Sequence, residues 1–357
     1  MTETDDSLQV GIVGLGTIGE LHVNNLLALG ETLAGGVDIV DEARTAFERE
    51  HDAPAFESLE ALIDHGVDAL IITTPNRFHE EYALEAFDAG VDVLCEKPLA
   101  NDLESAERIA EAAAESDARC MVGFNNRFLP AVEVFSAERE AGRFGDLTHV
   151  DANYIRRRGV PGRGGWFTTK DISGGGALLD IGVHAIDLTL HLLGYPEVVE
   201  VSGQTRSEFG GREDYTFLQM WGEDADELAF DVEDHATAFL RTAEGQTVSL
   251  EAAWASNRPP DNEFVVEGTD GGATLDRDEN TLTIHEVDDT GVANFRDTVV
   301  ETAETDPHRE EQAYFFDAIR NDEPIERNTV EEALTVQRVI DAIYRSDEHG
   351  RAVQLED

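Results

Sequence analysis

The chain has 357 residues, long enough for two domains that each bury an apolar interior. A hydrophobic fraction of 41% with 17 Phe is that of a globular protein, which excludes intrinsic disorder despite a formal charge of −50, from 76 Asp+Glu against 26 Lys+Arg. Acid spread along the whole length disfavours duplex nucleic acid and anionic membranes, both of which are bound through Lys and Arg, and points to a halophilic protein whose self-repulsion is screened at high salt.

The opening MTETDDSL lacks the basic and apolar regions of an export signal, and no stretch approaches roughly 18 uninterrupted apolar residues. Together with two cysteines, Cys95 and Cys120, each inside a short apolar run, this sets the expectation of a reduced, cytoplasmic protein without a membrane span. From residue 9 onward, β-like runs alternate with amphipathic stretches. QVGIVGLG leads into a helix to about Leu29, LAGGV into a helix through Phe47, and VDALIITTP (67–75) into a helix from Phe78 to Ala89. VDVLCEKP (91–98), a helix from Leu103 to Ser116 and RCMVGF (119–124) complete the series, which predicts a doubly wound parallel sheet of Rossmann type over residues 1–125.

Beyond Asn126 the runs lengthen: DLTHVDANYIRRR, TVSLEAAWAS, FVVEGT, GATLDR and TLTIHEV, broken by Gly, Asn and Asp. Residues 126–357 are expected to form an α+β domain with a large, mostly antiparallel open sheet, one apolar helix from Gly175 to Leu193, and two closing helices near 308–320 and 330–345.

Three features carry chemistry. Gly14-Leu15-Gly16-Thr17-Ile18-Gly19 follows the first strand and opens the first helix, the setting in which GxGxxG turns tightly, approaches a pyrophosphate and packs helix on strand. Asp38 follows 19 residues later at the end of the second run, where a carboxylate accepts from ribose hydroxyls and repels a 2′-phosphate, so NAD is favoured over NADP.

Glu96-Lys97-Pro98 ends a buried strand at the carboxyl edge of the parallel sheet, and Lys97 is one of only two lysines, with Lys170. A lysine there faces a ligand crevice and can share in proton transfer; the proline, with a cis bond, would hold the turn.

Asp180, His184, Asp187 and His191 recur at helical spacing after the glycine run Gly174-Gly175-Gly176, read as flexible, and form a polar stripe on an otherwise apolar helix. Asp180 and His184 suit proton handling at a substrate hydroxyl. The alternative is a satisfied core histidine with a helix-edge aspartate, and a metal is not favoured because no further ligand set of known spacing appears. Asp187 and His191 read as structural.

Together these residues resemble the glucose-fructose oxidoreductase/inositol 2-dehydrogenase (Gfo/Idh/MocA) family over nearly the whole chain: GLGTIG, Thr74-Pro75-Asn76 with His79, Glu96-Lys97-Pro98, GFNNRF from Gly123, and SGGGALLDIGVHAID. The resemblance implies an NAD(P)-dependent dehydrogenase that oxidises a hydroxyl of a sugar, inositol or related polyol, working as a homodimer or homotetramer built through the second domain's sheet. It gives Lys97, Asp180 and His184 the catalytic positions, with His184 as base, Lys97 holding the reacting oxygen and Asp180 orienting the pair. It gives Gly14, Gly16, Thr17, Ile18, Gly19, Asp38, Thr74, Asn76, His79, Glu96, Lys97 and Asn125 the cofactor positions. Substrate contacts are expected from Arg127, Arg156, Arg163 and Trp166, since arginines in so acidic a chain suit a carboxylate or phosphate, although strand cations paired with surface acids fit the arginine run at least as well. Two rival activities fit the same motifs: cleavage of a glycosidic bond by transient oxidation on retained NAD, and NAD sensing without turnover.

Overall fold

The computed structural model describes residues 7–216, 224–225 and 229–355. They divide into two compact units, one of residues 1–125 with 306–334, the other of 126–305 with 335–357. The first boundary falls where the sequence texture changes. Residues 306–334, assigned by sequence to the second domain, belong with the first unit.

In chain order the first unit contains β1 (Gln9–Val13), α1 (Thr17–Ala28), β2 (Thr32–Val37), α2 (Asp41–His51), β3 (Ala55–Phe56), α3 (Leu59–His65), β4 (Ala69–Ile72), α4 (His79–Asp88), β5 (Asp92–Glu96), α5 (Leu103–Glu115) and β6 (Cys120–Gly123). The strands lie in the order β3-β2-β1-β4-β5-β6, all parallel. Every residue of β4 and β5 is buried, the pattern of strands covered on both faces. Helix starts follow local chemistry: Asp102 accepts the Ser105 N–H at 2.8 Å at the head of α5. The sequence reading passed over β3 and α3, whose short, acid-rich stretch carries little periodicity.

The second unit begins with α6 (Pro130–Glu140) and β7 (Leu147–Ile155), then α7 (Lys170–Ser173), a π-helical turn (Leu178–Gly182) and α8 (Val183–Leu193). Seven strands follow, β8 (Val198–Arg206), β9 (His235–Thr242), β10 (Thr247–Ala253), β11 (Glu263–Gly268), β12 (Gly271–Asp276), β13 (Thr281–Asp288) and β14 (Asn294–Val300). After α9 (Pro307–Arg320), which belongs to the first unit, and α10 (Val330–His349), β15 (Val353–Gln354) completes a nine-stranded sheet in the order β14-β13-β12-β11-β7-β10-β9-β8-β15. Its pairs are antiparallel except β7 with β10.

Residues 170–193 are long and apolar enough to cross a bilayer, but 83% of the most apolar window is buried in the protein. Here Leu178, Ile181, Ala185 and Leu188 join Val150, Ala152, Leu250 and Ala252 of the sheet in a core from which solvent is excluded. Each fully buried Leu or Ile contributes about 1.5–3 kcal/mol. The glycine run before this helix is close-packed, not slack. Gly174 takes φ +85°, a Cβ on Gly175 would lie 2.0 Å from Tyr344 Oη, and one on Gly176 would lie 1.9 Å from the Glu233 carbonyl. Glu233 in turn accepts the Gly176 and Leu178 N–H groups at 2.8 and 2.9 Å, capping the helix start.

Candidate active site

The three glycines of the first loop do three different things. Gly14 (φ +100°) turns against the backbone of Thr73 and Thr74, where a Cβ would come within 2.9 Å, and Gly19 lies so near Gly14 that its Cβ would meet the Gly14 carbonyl at 2.2 Å. Gly16 has open space on its Cβ side. It precedes α1, whose first turn has no side-chain cap, and Gly16, Thr17 and Ile18 are exposed. Uncapped N–H groups beside an open cradle suit a pyrophosphate.

Asp38 follows β2 and is half-buried. Its Oδ2 accepts the Leu15 N–H at 2.9 Å and its Oδ1 the Val40 N–H at 2.8 Å, so the carboxylate braces the glycine loop. Each oxygen keeps a lone pair for a ribose hydroxyl. Thr74, just after β4, buries an Oγ1 that has no hydrogen-bond partner. An orphaned hydroxyl, an open cradle and a braced carboxylate along one sheet edge fit a dinucleotide.

Other expected cofactor residues turn inward. His79 is 1% exposed, with Nδ1 2.9 Å from the Pro98 carbonyl and Nε2 2.8 Å from the Thr74 carbonyl, so it ties two loop ends together. Burial lowers its pKa against the raising effect of those carbonyls and of Glu96. Asn76 is buried in the short helix between them.

Lys97 is half-buried after β5, and its peptide bond to Pro98 is cis. Glu96 points its Oε1 to His22 Nε2 at 2.7 Å, and its Oε2 accepts the Lys97 N–H at 3.1 Å. Burial pushes this carboxyl up, but the hydrogen bond and charge of His22, with Lys97 and His308 near, hold it at about 2, so it is an anion. His22 Nδ1 meets the Gln312 side-chain nitrogen at 2.6 Å, and Asn125 Nδ2 lies 3.4 Å from His308 Nδ1.

In the second unit Asp180 sits on the π-helical turn, a widened geometry often found at functional positions. Its Oδ2 accepts the Trp254 indole N–H at 2.8 Å and lies 3.9 Å from the Arg156 guanidinium. His184, one turn on, has the Tyr154 ring 6.5 Å away, and Arg156 and Arg277 lie 5.5 and 3.9 Å from the centre of that ring. Trp166 is half-buried and stacks on Phe167 at 3.7 Å. The one group of three possible metal donors among the described residues, Glu20, Glu50 and His51, contains none of the polar stripe.

Two arginines expected at the substrate are committed elsewhere. Arg127 is 0% exposed, its Nε 3.1 Å from both Asp187 oxygens and its Nη2 2.5 Å from Oδ1, and it also bonds Tyr195. Arg163 is 5% exposed and is held by Asp224 at 2.6 Å and the Arg212 carbonyl at 2.7 Å. Arg127 neutralises a buried acid and Arg163 a half-buried one in place of meeting a ligand. Asp187 is therefore structural, and His191 packs against Ser136 at 3.2 Å. Reading the sequence missed His22, Gln312, His308 and Trp254. His22 alone gave a signal, a buried imidazole three residues after Gly19 on an apolar helix face.

The model of an oxidoreductase family with an NAD-binding Rossmann fold matches residues 8–124, and that of the GFO/IDH/MocA C-terminal domain matches 137–274. A putative UDP-kanosamine synthase oxidoreductase subunit of Amycolatopsis mediterranei is 36% identical, covering 75% of each chain. The D-glucoside 3-dehydrogenase of Escherichia coli is 27% identical, covering 99% of each. A levoglucosan dehydrogenase solved with NADH superposes with a TM-score of 0.86 at 23% identity, covering 98% of this chain and 100% of that one, which shows the shared fold. With both domain models matched in order, the chain belongs to the Gfo/Idh/MocA family of oxidoreductases.

Proposed function

We propose that this protein is an NAD-dependent dehydrogenase that oxidises a ring hydroxyl of a sugar or related polyol, with Lys97, Asp180 and His184 as its proton-handling residues. The observation that carries the reading is the fixed Asp180 carboxylate, held by the Trp254 indole at 2.8 Å one helical turn from His184. A fixed carboxylate and an imidazole one helical turn apart in a packed unit suit abstraction of a hydroxyl proton. NAD, held by the Gly14–Gly19 loop, Asp38 and Thr74, supplies the hydride acceptor. In this reading His184 takes the hydroxyl proton, Asp180 orients it, and Lys97 holds the oxygen. Arg156 and Trp166 remain the substrate-facing candidates of the original four.

The name D-glucoside 3-dehydrogenase favours a hexose ring hydroxyl as the target. The placement of Asp38 favours NAD over NADP. The outermost strands carry exposed Val287, Phe295 and Val299, a surface suited to the expected dimer or tetramer. The charge favours work at high salt, and buried, unbridged Cys95 and Cys120 suit a reducing cytoplasm.

The test is NADH formation, followed by absorbance in about 1 M KCl, a concentration at which surface charge is screened. The panel holds glucosides, free aldoses, inositols and sugar acids, with K97A and H184A in parallel. Turnover of one class, lost in both variants while NADH still binds, supports the reading. Binding without turnover of any member, or release of a free sugar without net NADH, counts against it.

A further inference from the structure

The sheet edge that carries Lys97 is backed by a chain of buried polar side chains drawn from three parts of the first unit. His22 comes from α1, Glu96 from β5 and Gln312 from α9, a helix 290 residues beyond His22 in sequence. His22 and Gln312 are 0% exposed. Polar groups are kept in such a place at a cost unless they are hydrogen-bonded, and these are bonded in series.

The Gln312 side-chain nitrogen lies 2.6 Å from His22 Nδ1 and fixes the plane of that ring. His22 Nε2 is thereby aimed at Glu96 Oε1, to which it donates at 2.7 Å, and Glu96 Oε2 is left to accept the Lys97 backbone N–H at 3.1 Å. Gly123 on the neighbouring strand leaves room for this: a Cβ there would lie 3.2 Å from the Glu96 carboxyl carbon. Each member fixes the next, and the last one fixes the turn on which Lys97 stands.

We propose that Gln312 and His22 are positioning residues for Lys97, which they act on through the Glu96 carboxylate. Neither residue touches the reacting atoms. Together they fix which oxygen of Glu96 holds the Lys97 turn, and the returning helix α9 thereby takes part in the chemistry of the unit it rejoins. This inference rests on the reading of Lys97 as catalytic.

The full-length chain is tested as Q312L, H22L, H22Q and K97A. Three readouts apply: kcat on the panel substrate, NADH affinity by fluorescence, and reductive methylation of Lys97 relative to Lys170 by mass spectrometry. The two lysines make the last ratio an internal standard that needs neither coenzyme nor substrate. Q312L and H22L are expected to lose about tenfold or more in kcat, as displacement of a reacting group by a fraction of an ångström does. Their NADH affinity should stay within about threefold of the parent. H22Q, whose side-chain amide can stand where Nε2 stood, should recover most of the loss, and the labelling ratio should change in Q312L and H22L but not in H22Q.

Unchanged kcat and labelling in Q312L would overturn the proposal, as would an affinity loss that matches the kcat loss. If H22L lacks a cooperative thermal transition, Q312L and H22Q decide by the same criteria. K97A separates the two levels: full activity in K97A removes the catalytic reading and this proposal together, whereas an inactive K97A beside an unaffected Q312L removes this proposal alone.

Discussion

The Trp254 indole N–H donates to Asp180 Oδ2 across 2.8 Å from a side chain with no exposed surface, so the orientation of a π-turn carboxylate is set by a residue 74 positions later. Trp254→Phe keeps most of the ring volume and removes the donor. We expect a stability loss of about 1–3 kcal/mol in denaturant unfolding, the cost of a carboxylate left short of a partner. Steady-state kinetics should show kcat falling while KM for NAD holds. An unchanged kcat would mean that Asp180 is held adequately by Arg156 alone.

The loop glycines predict a split between folding and binding. Gly16→Ala places its methyl in open space at φ −88°, so the melting temperature should match the parent while NADH titration shows affinity weakened by about tenfold or more through a blocked approach. Gly19→Ala drives a methyl to 2.2 Å from the Gly14 carbonyl and should lower both. Equal effects in the two variants would contradict the division of roles.

Glu96 predicts a pH dependence whose sign follows from its depressed pKa. The folded carboxyl lies at about 2 against an ordinary 4.5, so its stabilisation is complete above the unfolded value and is lost as pH falls from 4.5 toward 2. Glu96→Gln should melt below the parent at neutral pH, and the difference should close across that acid window. Melting curves of both proteins at stepped pH check this; a gap that does not vary with pH would refute it.

Arg127 and Asp187, 0% and 1% exposed at their side chains, predict a purely structural phenotype. Arg127→Met should cost about 3–5 kcal/mol by leaving a buried anion unpaired. The residual folded enzyme should keep its KM for sugar. A raised KM with unchanged stability would restore this arginine to the substrate.

What the sequence made legible was what lies close together along the chain. Strand, glycine loop and helix from Gln9 to Ala28 are contiguous, so Gly14, Gly16 and Gly19 declared their roles in one short segment. Asp38 stood out as a candidate because the spacing between the first two strands is a local quantity. The partners of Glu96 were hidden, since nothing in the neighbourhood of Gln312 marks it as facing an imidazole 290 residues earlier. Glycine was misread where its reason was steric: Gly175 and Gly176 are small because Tyr344 and the Glu233 carbonyl stand against them, and neither neighbour is near in sequence. The arginines were left open between ligand and ion pair for a related reason. Arg127 and Arg163 look like ligand-binding cations in an acidic chain until their own carboxylates, Asp187 and Asp224, are in view.

The first unit is discontinuous, and that orders events during synthesis. A ribosome that has finished β6 has made every strand of the parallel sheet but not α9, which packs on α1 and β6. At about 5–20 residues per second, making residues 126–305 takes roughly ten to forty seconds, during which the apolar seat of α9 on the nascent chain has no cover. The nucleotide-binding unit, first to be translated, is thus the one that must wait for its last helix, and a chain stalled within the nine-stranded sheet would be a client for chaperones.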